Sequence, residues 1–168
     1  QIGSAGHPLM HVKVQIGDQH GLELPRNRVG EIQVRGPGVT PGYWHDPEAT
    51  TAAFTANGWF RTGDAGRMTE HGIIFVVDRI KDMYISGGEN VYPAEVEDVI
   101  DDLDAVSQCA VIGVPDRQWG EAGLALVVLQ PGQHLEPERI REHCRARLAR
   151  YKVPRDVRIV PALPLSPQ

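Results

Sequence analysis

The sequence predicts an α+β fold in two parts, a β-rich first half followed by a smaller, mixed α+β second half. Three observations carry that prediction. Up to Asp78 the chain reads as short alternating stretches broken by Gly and Pro. Beyond Pro93 the apolar residues fall at helical spacing. Between the two helical stretches lie runs rich in β-branched residues, long enough for strands.

The elements follow in order. Met10 to Ile16 alternates as a strand, and Gly30-Glu31-Ile32-Gln33-Val34-Arg35 does so again before Gly36-Pro37-Gly38 breaks the run. Asp46-Pro47-Glu48 supplies an N-cap, a proline at the first helical position and an early acid. A helix is therefore expected to continue through Ala49 to Ala56, stopped by Asn57-Gly58. Strands resume at Trp59-Phe60-Arg61, with a tight turn expected at Thr62-Gly63-Asp64. The apolar run Ile73 to Val77 closes the β-rich part near Asp78.

After Tyr92-Pro93, the residues Val96, Val99, Ile100 and Leu103 take positions i, i+3, i+4 and i+7 of an amphipathic helix whose other face is acidic. Cys109 to Val114 and Ala122 to Leu129 are candidate strands. Pro137 to Ala149 is a second helix, with Ile140, Cys144 and Leu148 on one stripe and Arg141 with Arg145 on another. Val157-Arg158-Ile159-Val160 alternates like an edge strand. Two helices on a small sheet result.

With 168 residues, 41% hydrophobic and 23% charged, the chain has the profile of a soluble globular protein that folds without disulfide or metal staples. No window approaches the roughly 20 apolar residues of a membrane span. Gln1-Ile2-Gly3-Ser4-Ala5-Gly6 has neither a basic nor an apolar leader. With no initiator Met, and an end at Pro164-Leu165-Ser166-Pro167-Gln168 that closes no element, the chain reads as an excerpt from something longer. Cys109 and Cys144 form no C-x-x-C spacing, which points to reduced thiols and a cytoplasmic setting. His7 and His11 are spaced i, i+4, but Pro8 works against a helical pair, so no metal site is expected.

Charge is polarised in the second half. Glu95 to Asp104 holds six acids and no base, whereas Arg139 to Arg158 holds eight bases against Glu142 and Asp156. A solvated helix face is the first reading of both runs. For the basic run the second reading is a landing site for ligand phosphates. The overall balance of −5, without an aromatic-interleaved basic groove, argues against a nucleic-acid partner.

Three short segments carry side chains suited to ligand chemistry. Thr62-Gly63-Asp64 places a carboxylate where it can accept two hydrogen bonds from a vicinal diol such as a ribose, although a Gly-Asp pair between strands is also an ordinary hairpin. Asp78-Arg79-Ile80-Lys81-Asp82 alternates charge where the halves meet. It reads either as a local salt-bridge cluster or as an Arg for ribose oxygens with a solvent-exposed pivot two positions on. Ser86-Gly87-Gly88-Glu89-Asn90 offers paired glycines, which make turns and admit close backbone approach.

Taken together, these segments resemble a known family. Gly30 to Gly38, Pro41-Gly42-Tyr43-Trp44 and Gly58-Trp59-Phe60-Arg61-Thr62-Gly63-Asp64 look like the closing part of the large domain of the adenylate-forming, AMP-binding superfamily. Asp78 to Glu97 resembles its inter-domain hinge motif, and Val114-Pro115-Asp116, Trp119-Gly120-Glu121 and Tyr151-Lys152-Val153-Pro154 match further along. The resemblance covers essentially the whole chain. The wording from Ser86 to Pro93 is closer to acyl-CoA synthetases than to peptide-synthetase adenylation domains.

The resemblance implies that residues 1–79 end the large AMP-binding domain as a β subdomain, 80–82 form a hinge, and 83–168 form a small α+β C-terminal lid. It implies a ligase that joins a small carboxylic acid, in the first instance a fatty acid, to coenzyme A with ATP and Mg2+ through an acyl-adenylate. Aryl or alicyclic acids are the alternative within the family, and a non-catalytic, lid-like nucleotide-binding module is the alternative outside it. Asp64 and Arg79 would hold the ribose of the adenylate. Lys81 would be the hinge, and Gly87, Gly88 and Glu89, with Trp119 beside them, would line the pantetheine path. The basic run Arg139 to Arg158 would be a solvated face first, and after that a contact for coenzyme phosphates or, ranked lower, for the surface of an anionic membrane. The family's phosphate loop and its aromatic-Gly-x-Thr-Glu motif do not occur here. Leu163-Pro164-Leu165-Ser166-Pro167-Gln168 matches only the lead-in to the adenylation-lysine motif. No catalytic residue is thus expected within these 168, and the segment alone is expected to make no acyl-adenylate.

Overall fold

The computed structural model describes residues 3–164, so Gln1-Ile2 and the part of the lead-in from Leu165 to Gln168 lie outside the described residues. The chain divides into two compact units, Gln1–Lys81 and Asp82–Gln168.

The first unit is a four-stranded antiparallel sheet in the order β1-β2-β3-β4: β1 (Lys13–Gly17), β2 (Gly30–Arg35), β3 (Phe60–Met68) and β4 (Ile74–Arg79). Its small core is Ile16, Ile32, Met68 and Ile74, with Val14, Leu24 and Val34 packed against it. The first strand starts at Lys13 rather than Met10, because His11 has φ +72 and Val12 N–H bonds back to the Leu9 carbonyl. His7 and His11 lie in this turn region and form no helical pair. Helix α1 (Pro47–Ala53) is capped as expected, Asp46 Oδ1 accepting from Ala49 N–H at 2.8 Å. It ends before Ala56 because Phe54 turns extended to bridge Phe60, ring centroids 5.4 Å apart.

The expected tight turn at Thr62-Gly63-Asp64 is instead a bulge inside β3. Gln33 pairs with Arg61 and Glu31 with Ala65, leaving three β3 residues opposite Ile32 alone. Gly63, at φ +74, supplies the conformation that a bulge of this kind needs.

The second unit is α+β. A hairpin of β5 (Tyr84–Ser86) and β6 (Glu89–Val91) leads into α2 (Pro93–Asp101), then a long hairpin of β7 (Val106–Asp116) and β8 (Gly120–Leu129), α3 (Pro137–Arg145) and β9 (Asp156–Ile159). Strand β8 is central, antiparallel to β5 and β7 and parallel to β9. Helix α2 packs on β7, and α3 packs on β9 and α2. The apolar stripes read from the sequence meet here: Val96, Ile100, Ile140 and Cys144 are fully buried with Val91, Ala125 and Val127. Each such aliphatic side chain contributes roughly 1.5–3 kcal/mol. The third helix stops at Arg145 rather than Ala149. Leu148 N–H still reaches the Cys144 carbonyl at 2.8 Å, and this turn keeps Leu148 against the core. Among the described residues no helix is long and apolar enough to cross a membrane.

Candidate functional site

The residues singled out for ligand chemistry form two groups, one on each unit. On the first, the bulge presents Asp64 opposite Arg79 across the β3–β4 ladder, and Arg79 Nε lies 3.1 Å from Asp64 Oδ1. Both side chains keep exposed surface, so the carboxylate retains capacity to accept further hydrogen bonds. The bulge is tied on each side. Thr62 Oγ1 donates to the Ile32 carbonyl at 2.7 Å and accepts from Asp64 N–H at 3.1 Å, while Glu31 Oε1 accepts from Gly63 N–H at 3.3 Å. Just beyond Arg79, a single 3-10 turn spans Ile80–Asp82, with Lys81 exposed on it and outside any ion pair among the described residues.

On the second unit, Gly87 and Gly88 are the two loop residues of the β5–β6 hairpin, at φ +62 and +87, the left-handed pair that a two-residue turn requires. Gly87 N–H donates to the Trp119 carbonyl at 2.9 Å, and a Cβ on Gly87 would sit 2.4 Å from the Trp119 ring. Nothing lies within 4 Å of the corresponding position on Gly88. Glu89 is exposed and pairs with Ser86 across the turn. Trp119 is held by Asp116, whose Oδ1 accepts from the N–H groups of Gln118 at 2.8 Å and Trp119 at 3.0 Å. Those bonds, with Arg155 2.6 Å from Oδ2, hold the Asp116 carboxyl below its ordinary range.

Beside Trp119 opens a cleft of about 630 Å³, walled by Tyr151 and by Arg141, Arg145, Arg150 and Arg155. The basic run is therefore split. Arg139 and Arg158 are exposed and pair locally with Glu142 and Asp156; the other four arginines converge on one concavity, Arg141 and Arg145 pairing with Glu138 and Arg155 with Asp116. Arg150 has no ion-pair partner among the described residues. The sequence signalled the basic run without saying which members converge, because that depends on how β9 returns beside β8.

The sequence reading also passed over Tyr84. Its side chain lies across the paired glycines Gly113 and Gly123, a Cβ on Gly113 meeting the Tyr84 Cβ at 2.4 Å and one on Gly123 meeting its hydroxyl at 2.5 Å. Its hydroxyl is buried without a hydrogen-bond partner, and burial, with the Glu121 charge adding, pushes its pKa up to about 12. Two glycines placed symmetrically about Gln118, the middle of the 117–119 turn, were the available signal.

An antiparallel β unit is joined along the chain by a short charged turn to a small α+β unit. The chain belongs to the AMP-binding enzyme family: the family's model for "AMP-binding enzyme" matches residues 1–44, and its "AMP-binding enzyme C-terminal domain" matches residues 95–168. A methyl-dioxo-octahydroindenyl-propanoyl:CoA ligase from Rhodococcus jostii is 48% identical over 98% of this chain and 30% of its own length. A feruloyl-CoA synthase from an Amycolatopsis species is 47% identical over 99% of the chain and 34% of its own. A long-chain-fatty-acid–CoA ligase from Mycobacterium tuberculosis is 46% identical over 98% and 32%. The crystal structure of ATP-bound MatB from Rhodopseudomonas palustris superposes with a TM-score of 0.90 at 40% identity, over 98% of this chain and 33% of that one. The chain spans about a third of the length of the curated relatives it matches.

Proposed function

We propose that the whole protein is an ATP-dependent acid–CoA ligase, and that this chain holds the adenylate ribose and supplies the lid for the thiol step. The observation that carries the reading is the Asp64–Arg79 pair, fixed on a bulge immediately before the turn that carries Lys81. In the first half-reaction the acid's carboxylate oxygen attacks the α-phosphorus of ATP, and pyrophosphate leaves. In the second, the thiol of coenzyme A loses its proton and attacks the acyl carbon; the C–S bond forms and AMP leaves.

In this reading Asp64 accepts from the ribose hydroxyls and Arg79 donates to the same sugar, a charge-assisted grip on a diol. Lys81 is the pivot of the 80–82 hinge between the β subdomain of residues 1–79 and the lid of residues 83–168. Withdrawing one set of groups and presenting another about such a pivot serves both half-reactions. Gly88, with open space where a side chain would project, admits the narrow pantetheine arm, with Gly87, Glu89 and Trp119 beside it. The four-arginine cleft receives the coenzyme's phosphates, and Tyr151 or Trp119 offers a face for its base.

Magnesium enters the proposed reaction with ATP, as part of the substrate. Two of the relatives named above are described as acting on ring-bearing acids, which supports an aryl or alicyclic acid ahead of a fatty acid. We place the enzyme in the cytoplasm, a reading supported by the free thiols Cys109 and Cys144, both pushed up by burial.

The test is direct. The full-length enzyme is incubated with ATP, coenzyme A and, in turn, a hydroxycinnamic acid, a fused-ring propanoic acid and a long-chain fatty acid. Acyl-CoA with stoichiometric AMP and pyrophosphate is the expected outcome, strongest for a ring acid. Release of ADP, or no thioester from any acid class, would overturn it.

A further inference from the structure

The proposed function leaves the Gly30-Glu31-Ile32-Gln33-Val34-Arg35 motif without a role beyond its strand. Glu31 sits on β2 directly beneath the bulge, its side chain 12% exposed. A carboxylate so enclosed is costly unless donors converge on it, and three do. Arg61 Nη1 lies 2.8 Å from Oε2, Gln33 Nε2 lies 3.3 Å from the same oxygen, and Gly63 N–H donates to Oε1 at 3.3 Å. Gln33 is fully buried and is steadied in turn by Gln15, whose Nε2 donates to Gln33 Oε1 at 2.8 Å and to the Gly21 carbonyl at 3.2 Å. Gly17 leaves the room this needs, since a Cβ there would meet the Gln33 amide at 2.5 Å. Arg61 is fixed from its far side by the Gln19 carbonyl at 3.2 Å.

Strand pairing alone does not require this network. Glu31 pairs with Ala65 and Gln33 with Arg61 through the backbone, whatever their side chains. What the Glu31 carboxylate adds is an acceptor for Gly63 N–H, in the middle of the three residues that face Ile32 alone. Rotation of the peptides on either side of Gly63 would swing the next side chain, Asp64. Thr62 Oγ1 holds the Asp64 N–H, and Glu31 holds the Gly63 N–H, so the direction of the Asp64 carboxylate is set from two sides.

We infer that Glu31, braced by Arg61 and the Gln15–Gln33 pair, is the positioning residue that aims Asp64 at the vicinal diol of the bound nucleotide. This rests on the ribose role proposed for Asp64. Glu31 itself touches no substrate; it acts through the bulge.

The full-length enzyme is titrated with AMP and with 2′,3′-dideoxy-AMP, which needs no knowledge of the acid, for the wild type, Asp64→Asn, Glu31→Gln and Glu31→Ala. Wild type should prefer AMP, and Asp64→Asn should erase the preference. Glu31→Gln keeps the volume but offers one acceptor oxygen where the carboxylate offers two. It should cut the preference by about fivefold, with dideoxy-AMP binding within about twofold of wild type. Glu31→Ala should cut it further. If both Glu31 variants keep the wild-type preference, or weaken both nucleotides together, Glu31 is structural only and the inference is overturned. If Asp64→Asn itself leaves the preference intact, the ribose reading falls, and the inference falls with it for that separate reason.

Discussion

Gly87 and Gly88 share a left-handed backbone yet meet opposite surroundings. An alanine at either position costs about 1–2 kcal/mol from backbone strain. At Gly87 the new Cβ would also lie 2.4 Å from the ring of Trp119, which is half-buried and tied by its own N–H and carbonyl, so the indole must move. At Gly88 the space is open. Gly87→Ala should therefore lower the urea midpoint of the full-length protein clearly more than Gly88→Ala, and should alone shift tryptophan emission. Equal midpoints for the two variants would show that the indole does not rest on Gly87.

At the scale of elements, the hairpin that carries these glycines is anchored by Tyr84, whose ring covers the Gly113–Gly123 pair of the neighbouring hairpin. Its pKa is raised from 10.0 to about 12 by burial, so the folded protein keeps the phenol proton after the unfolded chain has lost it. The native state binds more protons through that window, and stability falls as pH rises from 10 to about 12, by on the order of 2 kcal/mol. Tyr84→Phe removes both the titration and an unpartnered buried hydroxyl. It should flatten the loss in alkaline urea titrations and leave stability at neutral pH equal or higher. A Phe variant as alkali-sensitive as the wild type would contradict this.

Elements of this kind were legible in the sequence wherever one local signal decided them. The cap at Asp46-Pro47, the stripe Val96-Ile100 and the apolar run Ala122 to Leu129 each appear where the residues place them. What escaped was set by partners far along the chain. The Thr62-Gly63-Asp64 segment looks like a turn by composition and becomes a bulge because β2 pairs on both sides of it. The helix beginning at Asp46 loses its last turn to the Phe54–Phe60 bridge. The converging arginines and the glycine-covering Tyr84 depend on strand pairing that no short window contains.

For the molecule as a whole, two units with separate cores follow one another along the chain, joined by one short turn. In the function proposed for the whole protein, this turn is a pivot serving the two half-reactions of an acid–CoA ligase. A proline at Lys81 fixes φ and removes one backbone donor on an exposed turn, leaving both hydrophobic cores untouched. The most direct measurement compares wild type and Lys81→Pro in the full-length enzyme, with the acid that gives most thioester. Acid-dependent ATP–pyrophosphate exchange reports adenylation, and transfer to coenzyme A from preformed acyl-adenylate reports the thiol step. The two rates should fall unequally, by a ratio of about tenfold or more. Equal loss of both would contradict the pivot.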